Sequence, residues 1–328
     1  MKTKESFPWP PERVREYVLA NTRTVEVKGH YLSRIGIGLI LALARSFSWE
    51  GADRAGAFFG RLMYLLRIRW STARVNLDIV YGERKTMKEK RAIYRESLVM
   101  VCRHFANFLR VPLMDEEFLR TRFEIENEEL LRDAYNRGKG VILVGGHIGE
   151  WDTAAGRIGM ANYPIAIVAK KFKNPVMDKV IVDARCGMNL GTIAHVNSMQ
   201  RIREGLARGE GVIMAMDQNM KRSQGMFVEW LGRTACTVRS NAWVARETGA
   251  PVICGYACRV APGRFKLILT EEIPWEPFPD DRERELAINT RNQVKAIEKI
   301  ILAHPELWFW IHRRWKTQPE GVPSPYGD

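Results

Sequence analysis

The chain has 328 residues, and its 51 Lys and Arg against 38 Asp and Glu give a formal net charge of +13. Hydrophobic residues make up 46% of it and charged residues 27%, which excludes a disordered or fibrous protein and allows a sizeable core. The positive charge attracts polyanions such as nucleic acids, anionic membranes and acidic carrier proteins. The ten Trp favour a membrane interface among these. Five cysteines without a CxxC pair predict a reducing compartment.

The pattern from Tyr31 to Val111 is helical. The apolar segment Ile35–Ala44, between Arg34 and Arg45, would rise only about 15 Å as a helix, roughly half of the hydrocarbon core of a bilayer. A second helical stretch, Trp49–Trp70, carries a broad apolar face beside arginines. Such a face is typical of a helix that lies on a membrane, and a helix packed into the core is the alternative. We expect a monotopic protein rather than a spanning one.

Beyond Phe123, short β-type runs alternate with helical stretches, which predicts an α/β fold. We expect a mixed, largely parallel sheet flanked by helices, with a helical, membrane-associating N-terminal region at residues 1–115. The α/β domain would then occupy residues 116–328, and the two parts would form one compact unit. The predicted strands are Gly140–Val144, Pro164–Ala169, Gly211–Met216, Val252–Tyr256 and Phe265–Leu269. The predicted helices between them are Asp152–Ala161, Val176–Cys186, Ser198–Ala207, Val238–Thr248 and Asp281–Ala303.

The segment GVILVGGHIGEWD carries the strongest chemical signal. Its apolar run ends in two glycines, and His147 follows, which puts a histidine at the end of a buried strand, where open α/β sheets bind their ligands. Asp152 is five residues further on, and it reaches the ring only if His147 lies in a turn before the helix. Glu150 is the rival partner. A carboxylate on one ring nitrogen would leave the other free to act as a general base.

Other chemistries lack their motifs. No other His has metal-ligand spacing to a second His or Cys, and there is no GxSxG elbow, P-loop or GxGxxG. Three further segments carry basic and polar groups near strand ends: AKKFKNP with Lys170 and Lys171, MDQNMKR with Asp217 and Gln218, and FVEWLGRTACT with Gly232 and Arg233. Each reads alone as a solvated loop. At one edge of a sheet with His147, they would form a positive crevice suited to phosphates.

The order GGHIGEWD, KNP, DQN, GMFVEWLGRTACT, ETGAPVICGY and ELWFWIHRRWK resembles the lipid A biosynthesis lauroyl/myristoyl acyltransferase family. This family is a branch of the glycerolipid acyltransferases with a His-x4-Asp/Glu motif. The resemblance runs from about Tyr31 to Lys316 and includes RVNLDIVYGE near the N-terminus. The N-terminal apolar segment is shorter here than in typical members.

The resemblance implies that His147 is the general base and Asp152 its charge partner. The resemblance also implies that basic and polar residues of the second and third blocks bind the phosphate or sugar of the acceptor. A further pair of residues would lie close to the active site. The first group consists of Lys170, Lys171, Arg185, Asp217 and Gln218, and the pair is Gly232 and Arg233.

The resemblance also implies the partners of the protein. The acyl chain would come from acyl carrier protein or acyl-CoA, and the acceptor would be a lipid A precursor. No metal or organic cofactor is expected. The protein would lie on the anionic cytoplasmic face of the bacterial inner membrane, as a monotopic or peripheral protein.

Three alternatives remain at this point. The acceptor is instead a lysophospholipid or a phosphatidylinositol mannoside, or the protein is a non-catalytic membrane-lipid-binding protein on the same fold. A nucleic-acid-binding protein would rest on net charge alone, since no nucleic-acid motif is present.

Overall fold

A computed structural model describes residues 8–327. Helices cover most of the N-terminal third and then alternate with strands. The α-helices within residues 8–327 are α1 Pro11–Ala20, α2 Tyr31–Ser46, α3 Trp49–Leu65, α4 Trp70–Tyr81, α5 Met87–Phe108, α6 Glu116–Arg122, α7 Glu128–Asn136, α8 Trp151–Met160, α9 Pro175–Gly187, α10 Met199–Ala207, α11 Ser240–Thr248 and α12 Arg282–Ala303.

Nine strands form a seven-stranded sheet and a separate hairpin in residues 8–327. The strands are β1 Phe123–Glu126, β2 Val141–Gly145, β3 Ile165–Ala169, β4 Leu190–Ala194, β5 Gly211–Ala215, β6 Gly225–Trp230, β7 Arg233–Val238, β8 Val252–Ala261 and β9 Arg264–Ile273. The sheet order is β1-β9-β8-β2-β5-β3-β4, and β6 pairs with β7 in the hairpin. Strands β8, β2, β5, β3 and β4 are parallel, and β9 runs antiparallel to β8. The predicted α/β class with a largely parallel sheet is therefore confirmed.

The central strand β2 is buried on both faces, as expected for a parallel sheet covered by helices. Ile142 and Val144 pack into a core cluster that also contains residues of α1, α4, α5 and α12. Val141 and Leu143 pack on the opposite face with α6 to α9. The N-terminal helices thus share a core with the sheet, whereas the proposed division at residue 116 stays a prediction.

The five predicted strands all lie in the sheet, but three features differ from the sequence prediction. Strands β1 and β4 were not predicted. The segment that contains Gly232 and Arg233 forms the β6–β7 hairpin, whose two-residue turn places Leu231 and Gly232 at φ 47° and 85°. Two consecutive positive φ values are typical of the tight turns that join twisted antiparallel strands. The hairpin was missed because leucine is an unusual residue at such a position.

The predicted helix Trp49–Trp70 is two helices. Arg67 and Arg69 both adopt left-handed backbone angles, with φ of 53° and 58°, so α3 ends at Leu65 and α4 begins at Trp70. The segment Ile35–Ala44 lies inside α2 as predicted, and none of the residues of α2 is buried. No helix within residues 8–327 has the length and apolar character needed to cross a bilayer.

Close contact between α3 and α5 depends on two glycines. A Cβ on Gly60 would lie 2.4 Å from Cα of Val99, and one on Gly56 would lie 2.8 Å from Cα of Arg103. Asp53 of α3, which is buried, adds an ion pair with the partly exposed Arg103, 3.3 Å away. Because backbone atoms meet at both glycines, α3 cannot move relative to α5 without breaking this packing.

We predict that Gly60→Ala lowers the free energy of unfolding by about 3 kcal/mol, because the added methyl group meets the backbone of Val99. Gly36→Ala is the matched control in α2, where nothing lies within 4 Å of the added carbon. It should be neutral or slightly stabilising, since alanine favours a helix over glycine. Urea unfolding followed by circular dichroism measures both. Equal effects of the two variants would contradict the tight α3–α5 contact.

Candidate active site

The register of two parallel strands brings His147 and Asp217 together. Gly145 at the end of β2 pairs with Ala215 at the end of β5, and each functional residue follows two positions later. Their side chains therefore emerge side by side at the carboxyl edge of the sheet, where the prediction placed His147. Gly146 is required at this point, because a Cβ there would lie 2.7 Å from Cγ of Asp217.

The carboxylate of Asp217 holds His147 at two points. Its Oδ1 is 2.9 Å from Nδ1 of the ring, and its Oδ2 accepts the His147 backbone N–H at 2.9 Å. Trp308 Nε1–H donates to the same Oδ2 at 3.1 Å. An ionised carboxylate only accepts hydrogen bonds, so Nδ1 carries the hydrogen and Nε2 keeps its lone pair.

The pair shifts the pKa values of both groups. Burial would raise the pKa of Asp217, but the neighbouring His147 and the three hydrogen bonds outweigh it and lower that pKa to about 2. For His147, burial lowers the pKa, and the charge and hydrogen bond of Asp217 more than compensate, so the pKa lies above its ordinary value of 6.5. The His147 side chain is 30% exposed and Asp217 only 2%. The histidine is accessible to a substrate, whereas the carboxylate is not.

Gln218 covers the free nitrogen of the ring. Its Nε2 lies 3.2 Å from Nε2 of His147, so the amide donates to the lone pair that Asp217 leaves open. The next residue, Asn219, donates its backbone N–H to Nε2 of His312 at 3.0 Å. Burial lowers the pKa of His312 to about 4, so this second histidine stays neutral and fixes the position of the segment that follows β5.

Asp152 binds Arg185 rather than the ring of His147, and its part as the charge partner of His147 stays a prediction. Nε and Nη2 of Arg185 lie 2.9 and 2.7 Å from Oδ1 of Asp152, and both side chains are less than a tenth exposed. His147 does lie in the turn before α8, as the pairing required. The aspartate acts on it only through space, where its charge helps to raise the pKa of His147.

Glu150, the rival partner, does not contact the ring of His147 in any described hydrogen bond. It is fully buried, and its carboxylate lies 3.2 Å from Nδ1 of His104 and accepts from Nδ2 of Asn107 at 2.9 Å. Both partners belong to α5. The sequence prediction missed His104, which it recognised only as part of a helical run.

Three residues predicted to hold substrate have other environments. Asp217 is buried, and its carboxylate accepts hydrogen bonds from His147 and Trp308. Arg185 is buried in its ion pair with Asp152. Arg233 lies at the hairpin turn, where its carbonyl accepts from Nε1 of Trp315, and no described contact joins it or Gly232 to His147.

Lys170 and Lys171 follow the end of β3, next to β5 in the sheet, and both side chains are exposed. They therefore lie at the same edge as His147, as predicted. Burial and the charge of Lys170 lower the pKa of nearby His195.

The backbone amides of the His147 turn are already bonded. The N–H groups of residues 147 to 150 donate to Asp217, Gly146, Leu307 and Ala257. These four groups are not free to stabilise an oxyanion. Within residues 8–327, no cluster of His, Cys, Asp and Glu has the geometry of a metal site.

Trp308 and His312 were also missed as supports of the site. Both lie in the terminal ELWFWIHRRWK segment, which sequence reasoning used only for its resemblance. A buried indole needs an acceptor for its N–H, and that requirement was the available signal for Trp308.

We predict that Arg185→Met costs about 3–5 kcal/mol of stability, because it leaves the Asp152 carboxylate buried without its cation. The double variant Asp152→Asn, Arg185→Met should be more stable than Arg185→Met alone. Urea unfolding of the wild type, Asp152→Asn, Arg185→Met and the double variant forms a double-mutant cycle. Purely additive losses would mean that the two residues do not act as a pair.

Relatives of the chain were found by sequence comparison. It is 26% identical to the lipid A biosynthesis lauroyltransferase of Escherichia coli K12 over 302 residues, which cover 90% of this chain and 95% of the relative. It is 26% identical to the lipid A biosynthesis palmitoleoyltransferase of the same organism over 80% of this chain and 83% of the relative. A phosphatidylinositol mannoside acyltransferase of Mycolicibacterium smegmatis is 25% identical over 52% of this chain and 60% of its own length.

The sequence model of the bacterial lipid A biosynthesis acyltransferases matches residues 21–317. This range includes the helices α2 and α3 and the whole seven-stranded sheet. The chain is therefore an acyltransferase that belongs to the bacterial lipid A biosynthesis acyltransferase family.

Proposed function

We propose that this protein transfers a fatty acyl chain from an acyl thioester to a hydroxyl group of a lipid A precursor, with His147 as the general base. The observation that carries the proposal is the 30% exposed ring of His147, whose Nδ1 is held by a buried carboxylate and whose Nε2 keeps its lone pair, 3.2 Å from the Gln218 amide. The names of the relatives support the acceptor class.

In the proposed reaction, Nε2 of His147 takes the proton of the acceptor hydroxyl as its oxygen attacks the thioester carbonyl. The tetrahedral intermediate then collapses, the carbon–sulfur bond breaks, and the thiolate takes the proton from the imidazolium. Asp217 stabilises that imidazolium and holds the tautomer, which is the part a carboxylate has in other His-based acyl transfers. Asp152 adds a weaker field through space and is itself neutralised by Arg185.

Gln218 is a further part of the proposed site. Its amide donates to Nε2 of His147 in the free protein. An acceptor hydroxyl that binds Nε2 would displace this amide and would lie next to it. Since the amides of the turn are occupied, a side chain rather than the backbone of residues 147–150 would stabilise the oxyanion.

Lys170 and Lys171 are proposed to bind phosphate groups of the acceptor. Both are exposed at the edge that carries His147, and no hydrogen bond of either side chain is recorded among the described residues. Lipid A precursors carry phosphates, and ammonium groups attract them as point charges. A phosphatidylinositol mannoside remains the second acceptor, supported by the mycobacterial relative over about half the chain.

The exposed surface of α2 and α3 is proposed to lie on the membrane. Large apolar side chains on both helices are open to solvent, and exposed arginines lie next to them. The most exposed on the two helices are Tyr31, Leu32, Ile35, Leu39, Leu43, Phe58, Phe59 and Leu65, and Leu66 just beyond α3 is exposed as well. An apolar face with a basic border is typical of a helix that lies in the membrane interface.

The position of α2 relates this surface to the active site. Ser33 near its start contacts Asn174, just beyond the lysines that follow β3, with 3.3 Å between Oγ and Nδ2. Near its end, Arg110 donates to the carbonyl oxygens of Ala44 and Phe47. The helix therefore runs beside the carboxyl edge of the sheet. A protein docked by this face would hold His147 close to lipid headgroups on the cytoplasmic face of the inner membrane.

We expect His147→Ala to abolish transfer of a labelled acyl chain from acyl carrier protein or acyl-CoA to a lipid A precursor, because the base is lost. Lysophospholipids and phosphatidylinositol mannoside offered separately identify the acceptor. His304→Ala, which changes a half-exposed histidine outside the site, is the control and should keep the wild-type rate. Wild-type activity in His147→Ala would exclude His147 as the base. Vesicle binding without transfer to any acceptor would favour a lipid-binding protein.

We expect Leu39→Glu to reduce binding to anionic vesicles about tenfold or more, since a buried leucine contributes about 1.5–3 kcal/mol at such a surface. Leu19→Glu in α1 is the matched control, because Leu19 is 68% exposed and Leu39 is 66% exposed. Co-sedimentation with vesicles measures both. If the two variants bind alike, α2 is not the membrane face.

A further inference from the structure

We infer that His104 and Asn107 of α5 are positioning residues for the reaction, which hold the turn that carries His147 by binding the buried Glu150 carboxylate. The inference rests on the proposed function for its kinetic consequence. Neither residue touches the substrate side of His147. Both would act through Glu150, and His104 would act through Trp151 as well.

The Glu150 carboxylate depends on α5 for its hydrogen bonds. It is completely buried, and a buried carboxylate is stable only where donors replace water. His104 and Asn107 supply them from one face of the helix, since residues three positions apart are neighbours there. Thr153 adds a hydroxyl at 3.3 Å from within α8. Two of the three side-chain donors thus come from outside the motif.

Glu150 is also the point at which the His147 turn is fixed to the sheet. Its backbone N–H donates to the carbonyl oxygen of Ala257 in β8, and the N–H of Gly149 donates to Leu307. Gly149 has a φ of 60°, and a Cβ there would lie 1.8 Å from the oxygen of Ala257, so the turn lies directly against β8. Release of the Glu150 side chain would loosen a residue that joins α5, β8 and the turn.

Trp151 provides a second path from His104 to His147. Its ring centroid is 3.7 Å from that of His104 and 5.4 Å from that of His147. The indole is thus packed between the two imidazoles. His104 is fully buried behind it, so its role is to position rather than to react.

The charged groups around His147 come from four parts of the chain. They are Asp217 after β5, Asp152 in α8, Arg185 in α9 and His312 in the terminal segment. Asp217 has the largest effect among these charges, and it acts through a 2.9 Å contact that depends on where the turn holds the ring. A looser turn would weaken that contact first.

The test uses His104→Phe, which keeps an aromatic ring against Trp151 and removes the donor to Glu150. We expect kcat to fall roughly 10- to 100-fold with KM for the acceptor nearly unchanged, because misplacement of a reacting group by about 1 Å has such effects. The pH midpoint for modification of His147 by diethyl pyrocarbonate, followed on its peptide by mass spectrometry, should move to lower pH. His104→Gln, which restores an amide donor, should recover part of both losses.

Leu98→Ala is the matched control on the same helix, since it removes a buried side chain that packs away from Glu150. It should lower the melting temperature without moving the His147 midpoint. If His104→Phe lowers the melting temperature but leaves kcat per folded molecule and the midpoint unchanged, the residue is only structural and the inference fails.

The pair Glu150→Gln and His104→Phe supplies a second criterion. If His104 acts through Glu150, the double variant should lose little more kcat than the more severe single variant, whereas multiplied losses would contradict the inference. The modification assay needs no substrate. A wild-type protein that transfers no acyl chain would therefore overturn the proposed function, while the midpoint shift would still decide the role of His104.

Discussion

The hydrogen-bonded pair of His147 and Asp217 is the contact on which the rest of the site depends. It follows from the register of β2 and β5, because each residue lies two positions beyond paired strand ends. Gly146 leaves the space for it, and the buried indole N–H of Trp308 donates a third hydrogen bond to Asp217. Changes in the sheet register, in Gly146 or in the terminal segment would all alter the contact at Nδ1 of His147.

A second polar layer supports this pair from behind. Asp152 with Arg185 and Glu150 with His104 and Asn107 form two buried ionic or hydrogen-bonded groups between α5, α8 and α9. Asp152 of the His-x4-Asp spacing therefore connects the start of α8 to α9 through Arg185. Because α5 also packs on α3 through Gly56 and Gly60, this one helix supports both the His147 turn and part of the exposed apolar surface.

Periodicity predicted the parts of the structure that depend on local patterns. The positions of five of the nine described strands, the largely parallel sheet and His147 at a strand end all followed from apolar runs and glycines. The partner of His147 did not, since Asp217 is 70 residues away and only strand order makes it a neighbour. The resemblance implied that Arg185 binds substrate, and nothing in the sequence indicates that its guanidinium is buried against Asp152. In both cases, the partners are charged or polar side chains that lie far apart in the sequence.

The most direct test of the His147–Asp217 pair is the pH dependence of kcat/KM in the wild type and in Asp217→Asn. A base must be neutral to act, so activity should rise with pH, and the raised pKa of His147 places the wild-type midpoint above 6.5. Removal of the Asp217 charge takes away the strongest effect that raises the pKa of His147, so the effect of burial, which lowers it, is no longer offset. We predict that the midpoint moves to lower pH and that the plateau falls, since the amide no longer holds the right tautomer. An unchanged midpoint with an unchanged plateau would show that Asp217 is not the partner of the base.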